Sequence, residues 1–347
     1  MRRFLLLCSL LLPMAQAGAY AHPSLQASSA GSEQQPTVGS VRELISKGKL
    51  EEAQHDLDAL AAVHPEPQGI ERLRGFISYQ QSRMADADAS FSKALEQDPA
   101  DLESMQMRGV VLYRMGKPAE AIPLLEKAHT AVASVNVDPD YVLASCYVVA
   151  GRYNDARHAF AEQYGFAPDS APAYLITARM LLRHQLLEAA EEAARKAVQL
   201  DSRLPLAHQL LGEIALARGD ASAAIAELQK ERALNPLNGS VYDRLGDAYI
   251  RNSQYPEARQ ALDRAILLEP NTTGPYILLG RVLLQQEQPV TATMYLERAA
   301  QMDPENSTTH MLLGQAYRST GRKEEAMKEF QAAQQLRSGT PASAAKP

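Results

Sequence analysis

The side chains with most chemistry to offer in this sequence are tyrosines and arginines at recurring positions: Tyr79, Tyr113, Arg114, Tyr141, Arg179, Arg183, Arg251 and Arg281. A guanidinium is a planar fork that binds a carboxylate through two parallel hydrogen bonds, so such a set could hold an acidic segment of another molecule. Glu213, Asp243 and Asp247 lie among them. Asp243, Asp247 and Arg251 stand four residues apart, the spacing at which charges pair along one helix. A second reading therefore makes these residues a solvated helix face.

Catalysis finds no comparable pattern. The sequence lacks G-x-S-x-G, H-E-x-x-H, G-x-G-x-x-G and C-x-x-C. Gly109 to Gly116-Lys117 is a faint phosphate-loop likeness, but its spacing is too long and Pro118 stands where a hydroxyl would be needed. His208 and His310 share a slot held elsewhere by Tyr174, Tyr242 and Tyr276, which reads as aromatic packing rather than metal ligation. Cys146 falls in a slot that is otherwise apolar, as at Ile77, Val111, Met180 and Ile214, and reads as a buried packing thiol. We expect no catalytic, cofactor-binding or metal-ligating residues, and no enzyme.

Composition agrees. Of 347 residues 46% are apolar and 22% charged, ample for a buried core, and with 19 Gly and 20 Pro the collagen-like, coiled-coil and low-complexity classes are excluded. Two cysteines cannot build a disulfide scaffold. The formal charge of −6 argues against a generic nucleic-acid binder.

The first residues read Met-Arg-Arg, then an apolar run from Phe4 to Met14, then overlapping A-x-A triplets ending at Ala17, Ala19 and Ala21. A positive start, an apolar run too short to span a bilayer and small residues make a secretory signal peptide. We read residues 1–21 so, with export to a bacterial periplasm or cell exterior and no membrane span after cleavage. Cleavage would remove Arg2, Arg3 and Cys8, leaving the chain more acidic and Cys146 alone. Residues 22–37 are polar and turn-rich, a flexible linker. Residues 339–347 read as a disordered tail.

What positions the candidate residues is a repeat. Pro65 and Pro99 stand 34 residues apart, as do Pro236, Pro270 and Pro304, with Pro168 in phase. A glycine follows ten residues later at Gly75, Gly109, Gly246, Gly280 and Gly314, and Gly212 keeps the phase behind Ser202. Twelve residues on comes alanine: Ala87, Ala121, Ala224, Ala258, Ala292 and Ala326. Four further on is a bulky residue: Phe91, Leu125, Leu228, Leu262, Leu296 and Phe330. Apolar residues at helical spacing surround each glycine. Glycine inside a helix costs about 1 kcal/mol against alanine. Close approach of a second helix would offset it, with the alanine as the opposing small residue and the bulky residue filling the groove between neighbouring pairs. Proline ends the second helix.

This pattern resembles the tetratricopeptide repeat (TPR) family, most clearly in Tyr242-x-x-Leu245-Gly246-x-x-Tyr249 with Ala258, Leu262, Ala265 and Pro270. The resemblance implies an all-α fold, a right-handed alpha-alpha superhelix of about nine helix-turn-helix repeats. The units fall at about 34–67, 68–101, 102–136, 137–170, 171–204, 205–238, 239–272, 273–306 and 307–340, an array over 38–338. Some units depart from the pattern. The first has Val41 in the glycine slot and is expected to start late and cap the array. The third carries an extra residue between Thr130 and Val137. Ala144 and Ala178 replace glycine in the fourth and fifth, and Glu231 takes a usually small, buried slot in the sixth.

In this family the first helix of each pair lines a concave groove, where Tyr79, Tyr113, Arg114, Tyr141, Arg179, Arg183, Arg251 and Arg281 would stand. The resemblance implies a scaffold that binds an extended peptide or protein partner there, an acidic one if the arginines engage it. The Lys/Asn carboxylate clamp of chaperone-tail binders is not expected, since its asparagine slot holds Phe76, Val110, Ser145, Arg179, Glu213, Asp247, Arg281 and Gln315. The alternative is a structural protein that self-associates through its terminal repeats.

Overall fold

The structure is a computed structural model and describes residues 35–63, 67–129 and 138–338. The signal peptide, most of the linker, Pro65, the extra residue between Thr130 and Val137, and the tail from 339 lie outside the described residues.

Eighteen helices and no strand occur among the described residues, in nine successive pairs. The first four pairs are α1 (Val38–Ser46) with α2 (Leu50–Ala61), α3 (Ile70–Gln80) with α4 (Met84–Gln97), α5 (Leu102–Arg114) with α6 (Pro118–Ala128), and α7 (Pro139–Val149) with α8 (Tyr153–Tyr164). Next come α9 (Ala171–Arg183) with α10 (Leu187–Leu200), α11 (Ala207–Ala217) with α12 (Ala221–Leu234), and α13 (Gly239–Arg251) with α14 (Tyr255–Leu268). Last are α15 (Thr273–Gln285) with α16 (Pro289–Met302) and α17 (Ser307–Ser319) with α18 (Lys323–Ser338). The chain is an all-α repeat superhelix.

Local chemistry starts and stops these helices. Side chains of Thr37, Asp101, Asp138, Asn238 and Asn306 accept first-turn backbone N–H groups, satisfying donors that a helix start leaves unpaired. The turn inside each pair passes through one residue of positive φ, at Gly48, Ser82, Gly116, Gly151, Gln185, Gly219, Ser253, Glu287 and Gly321. Four of those nine positions are not glycine, so residue type alone did not reveal the turn.

Within a pair, packing depends on the glycine. A Cβ built on Gly246 would lie 2.5 Å from Leu262 Cδ2, and one on Gly75 2.6 Å from Phe91 Cε1. The same holds at Gly109 with Leu125, Gly212 with Leu228, Gly280 with Leu296 and Gly314 with Phe330. The bulky residue lies on the glycine of its own pair, sixteen residues back, a contact that the expected filling of the groove between pairs did not include. Where the slot holds Ala178, the position sixteen on is Ala194, so the added methyl meets a smaller partner.

Between pairs, each odd-numbered helix packs on the next odd-numbered helix at every step but α3 to α5, whereas successive even-numbered helices make no comparable contact. The odd helices thus crowd the inner side of the curve and the even helices fan outward. Polar ties reinforce the joints. Tyr147 and Tyr317 each donate to a carboxylate of the preceding pair, Glu126 and Glu297, at 2.7 Å. Arg152 and Arg322 lie over those two rings, 4.4 and 4.1 Å from the centroids. Burial and the Glu297 bond push the Tyr317 phenol up to about 12, so it stays a donor at ordinary pH.

Two departures acquire physical accounts. Glu231 is fully buried, and its carboxylate accepts N–H groups of Leu206 (2.9 Å) and Gln209 (3.3 Å). It caps α11, which starts from a left-handed Leu206 without a side-chain cap of its own. His208 and His310 are polar connectors rather than plain aromatic packing, with Nδ1 at 2.7 Å from Glu227 and 2.6 Å from Glu329. In the same slot the Tyr242 and Tyr276 hydroxyls donate to the carbonyls of Pro236 and Pro270, and His310 Nε2 reaches the Pro304 carbonyl at 2.8 Å. Both nitrogens of His310 face acceptors, which only a doubly protonated imidazole can satisfy. Burial disfavours that charge, but the bonds to Glu329 and Pro304 prevail and hold the group above its ordinary value.

Two outcomes are expected. Gly246→Ala should destabilise the protein by about 1–3 kcal/mol in denaturant unfolding despite alanine's better helix propensity, because the core is already full. Gly246→Ala with Leu262→Ala should cost less than the sum of the single changes; additivity would sink the packing account. The His310 contribution to stability should be fully present below the ordinary imidazole value of about 6.5 and fade as pH rises through the elevated folded value. Melting curves of His310→Tyr, which restores the Tyr276 arrangement, should show a smaller loss between about pH 6 and 9 than wild type.

Candidate functional site

The candidate residues stand on the odd helices, each of which is held by packing on its even-numbered partner. Arg179, Glu213, Asp247 and Arg281 occupy one slot on α9, α11, α13 and α15, and Arg42 holds it on α1. Tyr79 and Tyr113 share a second slot, with Arg114, Arg183 and Arg251 at the end of the same turn on α5, α9 and α13.

Toward the C-terminal half the arginines are neutralised by the protein itself. Asp247 takes Arg251 at 3.0 Å and Arg281 at 3.6 Å. Glu213 faces Arg244 at 3.5 Å and Arg179 at 4.0 Å, and accepts from Gln209 at 2.9 Å. The i,i+4 pairing is therefore half realised: Asp247 and Arg251 form it, and Asp243 has no hydrogen-bond partner on Oδ1. Burial raises the Asp243 carboxyl, Arg244 pulls it down, and Asp247 and Glu269 push it up again. The N-terminal end is neutralised too. Arg72 pairs with Asp101 at 3.0 Å and Glu103 at 3.3 Å, and Arg42 pairs with Glu103. Sequence reasoning missed Arg42, Arg72 and Arg244; the slot shared with Arg179 would have found the first.

The middle differs. Arg114 and Arg183 are exposed and have no carboxylate partner among the described residues. The Arg114 guanidinium lies 4.7 Å from the centre of the buried Tyr79 ring, a cation–π contact. Burial raises the Tyr79 phenol, Arg114 offsets part of this, and its hydroxyl has no partner. Arg183 Nη1 donates to the Tyr141 hydroxyl at 2.9 Å, and that hydroxyl lies 3.7 Å from Met180 Sδ. Tyr113 is half-buried at the edge of the core. The middle of the inner face thus offers two uncompensated cations among three tyrosines, a surface suited to an extended chain carrying carboxylates and apolar side chains.

Other sites are chemically quiet. Cys146 is fully buried, and burial pushes its thiol up to about 12, which leaves no thiolate nucleophile. No group of His, Cys, Asp and Glu among the described residues is placed to hold a metal ion. No helix among them is long and apolar enough to cross a membrane.

Models of the tetratricopeptide repeat match residues 39–102, 79–136, 112–180, 239–272 and 283–345. Among curated proteins the chain is 24% identical over 171 residues to cellulose synthase 1 operon protein C of Komagataeibacter xylinus, covering 46% of this chain and 13% of that protein. It is 23% identical over 229 residues to mouse (Mus musculus) superkiller complex protein 3, covering 64% of this chain and 15% of that one. The chain thus spans only a small part of either relative. Among solved structures, MamA of Desulfovibrio magneticus RS-1 is 22% identical with a TM-score of 0.46, covering 50% of this chain and 98% of its own. YrrB, described as a TPR protein with an unusual peptide-binding site, is 22% identical with a TM-score of 0.45, covering 53% of this chain and 94% of its own.

Proposed function

Because the chain belongs to the tetratricopeptide repeat family, we propose that it is a non-enzymatic scaffold that binds an extended, acidic peptide or protein segment on its inner face, outside the cytoplasm. One observation carries the reading. Arg42, Arg72, Arg179, Arg251 and Arg281 are matched by Asp101, Glu103, Glu213 and Asp247, while Arg114 and Arg183 in the middle have no acid and stand beside tyrosines; Arg318, in the Tyr79 slot on α17, also has no acid among the described residues but lies over the Phe330 ring. An arginine already paired has little to offer a ligand. An unpaired one beside aromatic rings can add about 1.5–3 kcal/mol per charge-assisted hydrogen bond to a carboxylate. The rings of Tyr113 and Tyr141 would supply rigid area at low entropic cost, with the buried Tyr79 ring backing Arg114. The export half of the proposal rests on the Arg2-Arg3 start, the apolar run and the A-x-A triplets.

Two experiments test these halves. An array of extended acidic and neutral peptides is probed with residues 22–347 and with variants whose fold is checked by circular dichroism. Binding of acidic peptides should fall about tenfold or more in Arg114→Ala and in Arg183→Ala, and far less in Arg251→Ala. Equal losses in all three, or preference for neutral peptides, would overturn the assignment. For export, the full chain expressed in a bacterium should be recovered from the periplasm with an intact mass matching cleavage after Ala17, Ala19 or Ala21; an uncleaved cytoplasmic product would refute it.

A further inference from the structure

The outer face carries a second feature, on the side away from the groove. Between α8 and α10, floored by α9, lies a cleft of about 840 Å³. That volume is within the usual range of small-molecule sites. Its walls include Tyr153, Tyr174, Leu181, Ala189 and Ala193, with the cations Arg157, Arg195 and Lys196 about it and Glu192 the one acid among its lining residues.

The repeat shows why the cleft forms in this unit and what would fit it. Tyr174 holds the slot of His208, Tyr276 and His310, and Ala193 holds the slot of Glu227, Tyr295 and Glu329. In those three units the second residue covers the first. Glu227 meets His208 at 2.7 Å, Glu329 meets His310 at 2.6 Å, and the Tyr295 ring tilts against Tyr276 with centroids 6.3 Å apart. In the fifth unit the covering side chain ends at the Ala193 methyl. The unit with Tyr242 also has alanine, Ala261, but there Ile225 occupies the slot of Arg157 and packs on the core. Arg157 instead turns to the Pro168 carbonyl and to Asp169. It thereby takes the acceptor that the Tyr242 and Tyr276 hydroxyls use in their own units. The Tyr174 ring, with the Arg157 guanidinium 4.5 Å from its centre, has lost both its cover and its acceptor.

We infer that this cleft is a binding site for a small aromatic carboxylate. Elsewhere in the molecule the vacated place is filled by a phenol ring or by a carboxylate, and such a ligand combines the two. Its ring would lie on Tyr174 between the alanines of α10, and its acidic group would face Lys196 and the Tyr174 hydroxyl. Among the described residues Lys196 has only Gln199 as a hydrogen-bond partner, at 3.2 Å, whereas Arg195 is held by Glu191 at 2.8 and 2.6 Å. The inference is independent of the peptide groove.

The probe is 4-hydroxybenzoate, titrated calorimetrically into residues 22–347. Saturable binding is expected, with cyclohexanecarboxylate and 4-hydroxybenzyl alcohol each weaker by about tenfold, since one lacks the ring face and the other the charge. Ala193→Tyr copies the Tyr295 arrangement, so it should keep or raise the melting temperature while abolishing binding. Tyr174→Phe keeps the ring and should weaken binding several-fold. The groove variant Arg183→Ala should bind as wild type does. No saturation by about 10 mM overturns the inference. So does binding that survives in a folded Ala193→Tyr, or equal affinity for cyclohexanecarboxylate.

Discussion

Six of the nine helix pairs are set by one contact, the bulky side chain of the second helix lying on the bare backbone of a glycine in the first. The distance from a would-be Gly246 Cβ to Leu262, 2.5 Å, leaves no room for a methyl group. Glycine's propensity cost inside a helix, about 1 kcal/mol, is offset by burying a leucine or phenylalanine completely. Leu228, Leu262 and Leu296 are all wholly inaccessible. Once the separation inside a pair is fixed, the side of the first helix turned from its partner is fixed too. That side is the inner face. The slots of Arg114 and Tyr79 therefore follow from a contact in which neither takes part.

Legibility in the sequence divides along the same line. The 34-residue period of Pro99, Gly109, Ala121 and Leu125 is local, and spacing on a helix converts it directly to a face. The helix pairs and the small-residue slots could be read this way, whereas the inner position of the arginines came only from the resemblance to the repeat family. Partnership could not. Arg72 finds Asp101 across 29 residues and Arg42 finds Glu103 across 61, and no periodicity says which of several acids in phase will lie within reach. The roles of His310 and Glu231 were hidden for a related reason. Each replaces the usual residue of its slot with one of different chemistry, and its use depends on what faces it, Glu329 and Pro304 in one case and the start of α11 in the other. The turns at Gln185 and Glu287 are in phase with Gly151, Gly219 and Gly321, so the period marks them although their residue types do not favour a positive φ.

The buried apolar residues form two clusters rather than one, the first reaching Ile214 and the second beginning at Leu216. The sixth unit, where they part, is also where polar groups are buried together. His208, Gln209 and Glu231 are each less than a tenth exposed, and Gln209 bonds to Glu213 and to Ser240 of the next pair. Such a seam must be fully satisfied to be tolerated, because each unpaired buried polar group costs about 1–3 kcal/mol. The fit of Glu231 to two backbone N–H groups meets that demand.

A repeat protein acquires specific surfaces by breaking its own symmetry, and this chain does so on two sides. On the inner face the slot that holds Arg179 and Arg281 also holds Glu213 and Asp247 between them, so two anions flanked by two cations cancel over α9 to α15. The cancellation stops at Arg114 and Arg183, which stand beside tyrosines. On the outer face the slot that elsewhere holds Glu227, Tyr295 or Glu329 is reduced to Ala193, and a neighbouring aromatic loses its cover. Arg114 lies outside the Gly109–Leu125 contact, and Arg183 and Ala193 lie outside the small-residue slots Ala178 and Ala194 of their pair, so both changes could arise with little cost to the fold. The packing slots keep the array regular, and the exposed slots are free to vary. Departures among the exposed slots are therefore where function is to be read, because the frame constrains them least.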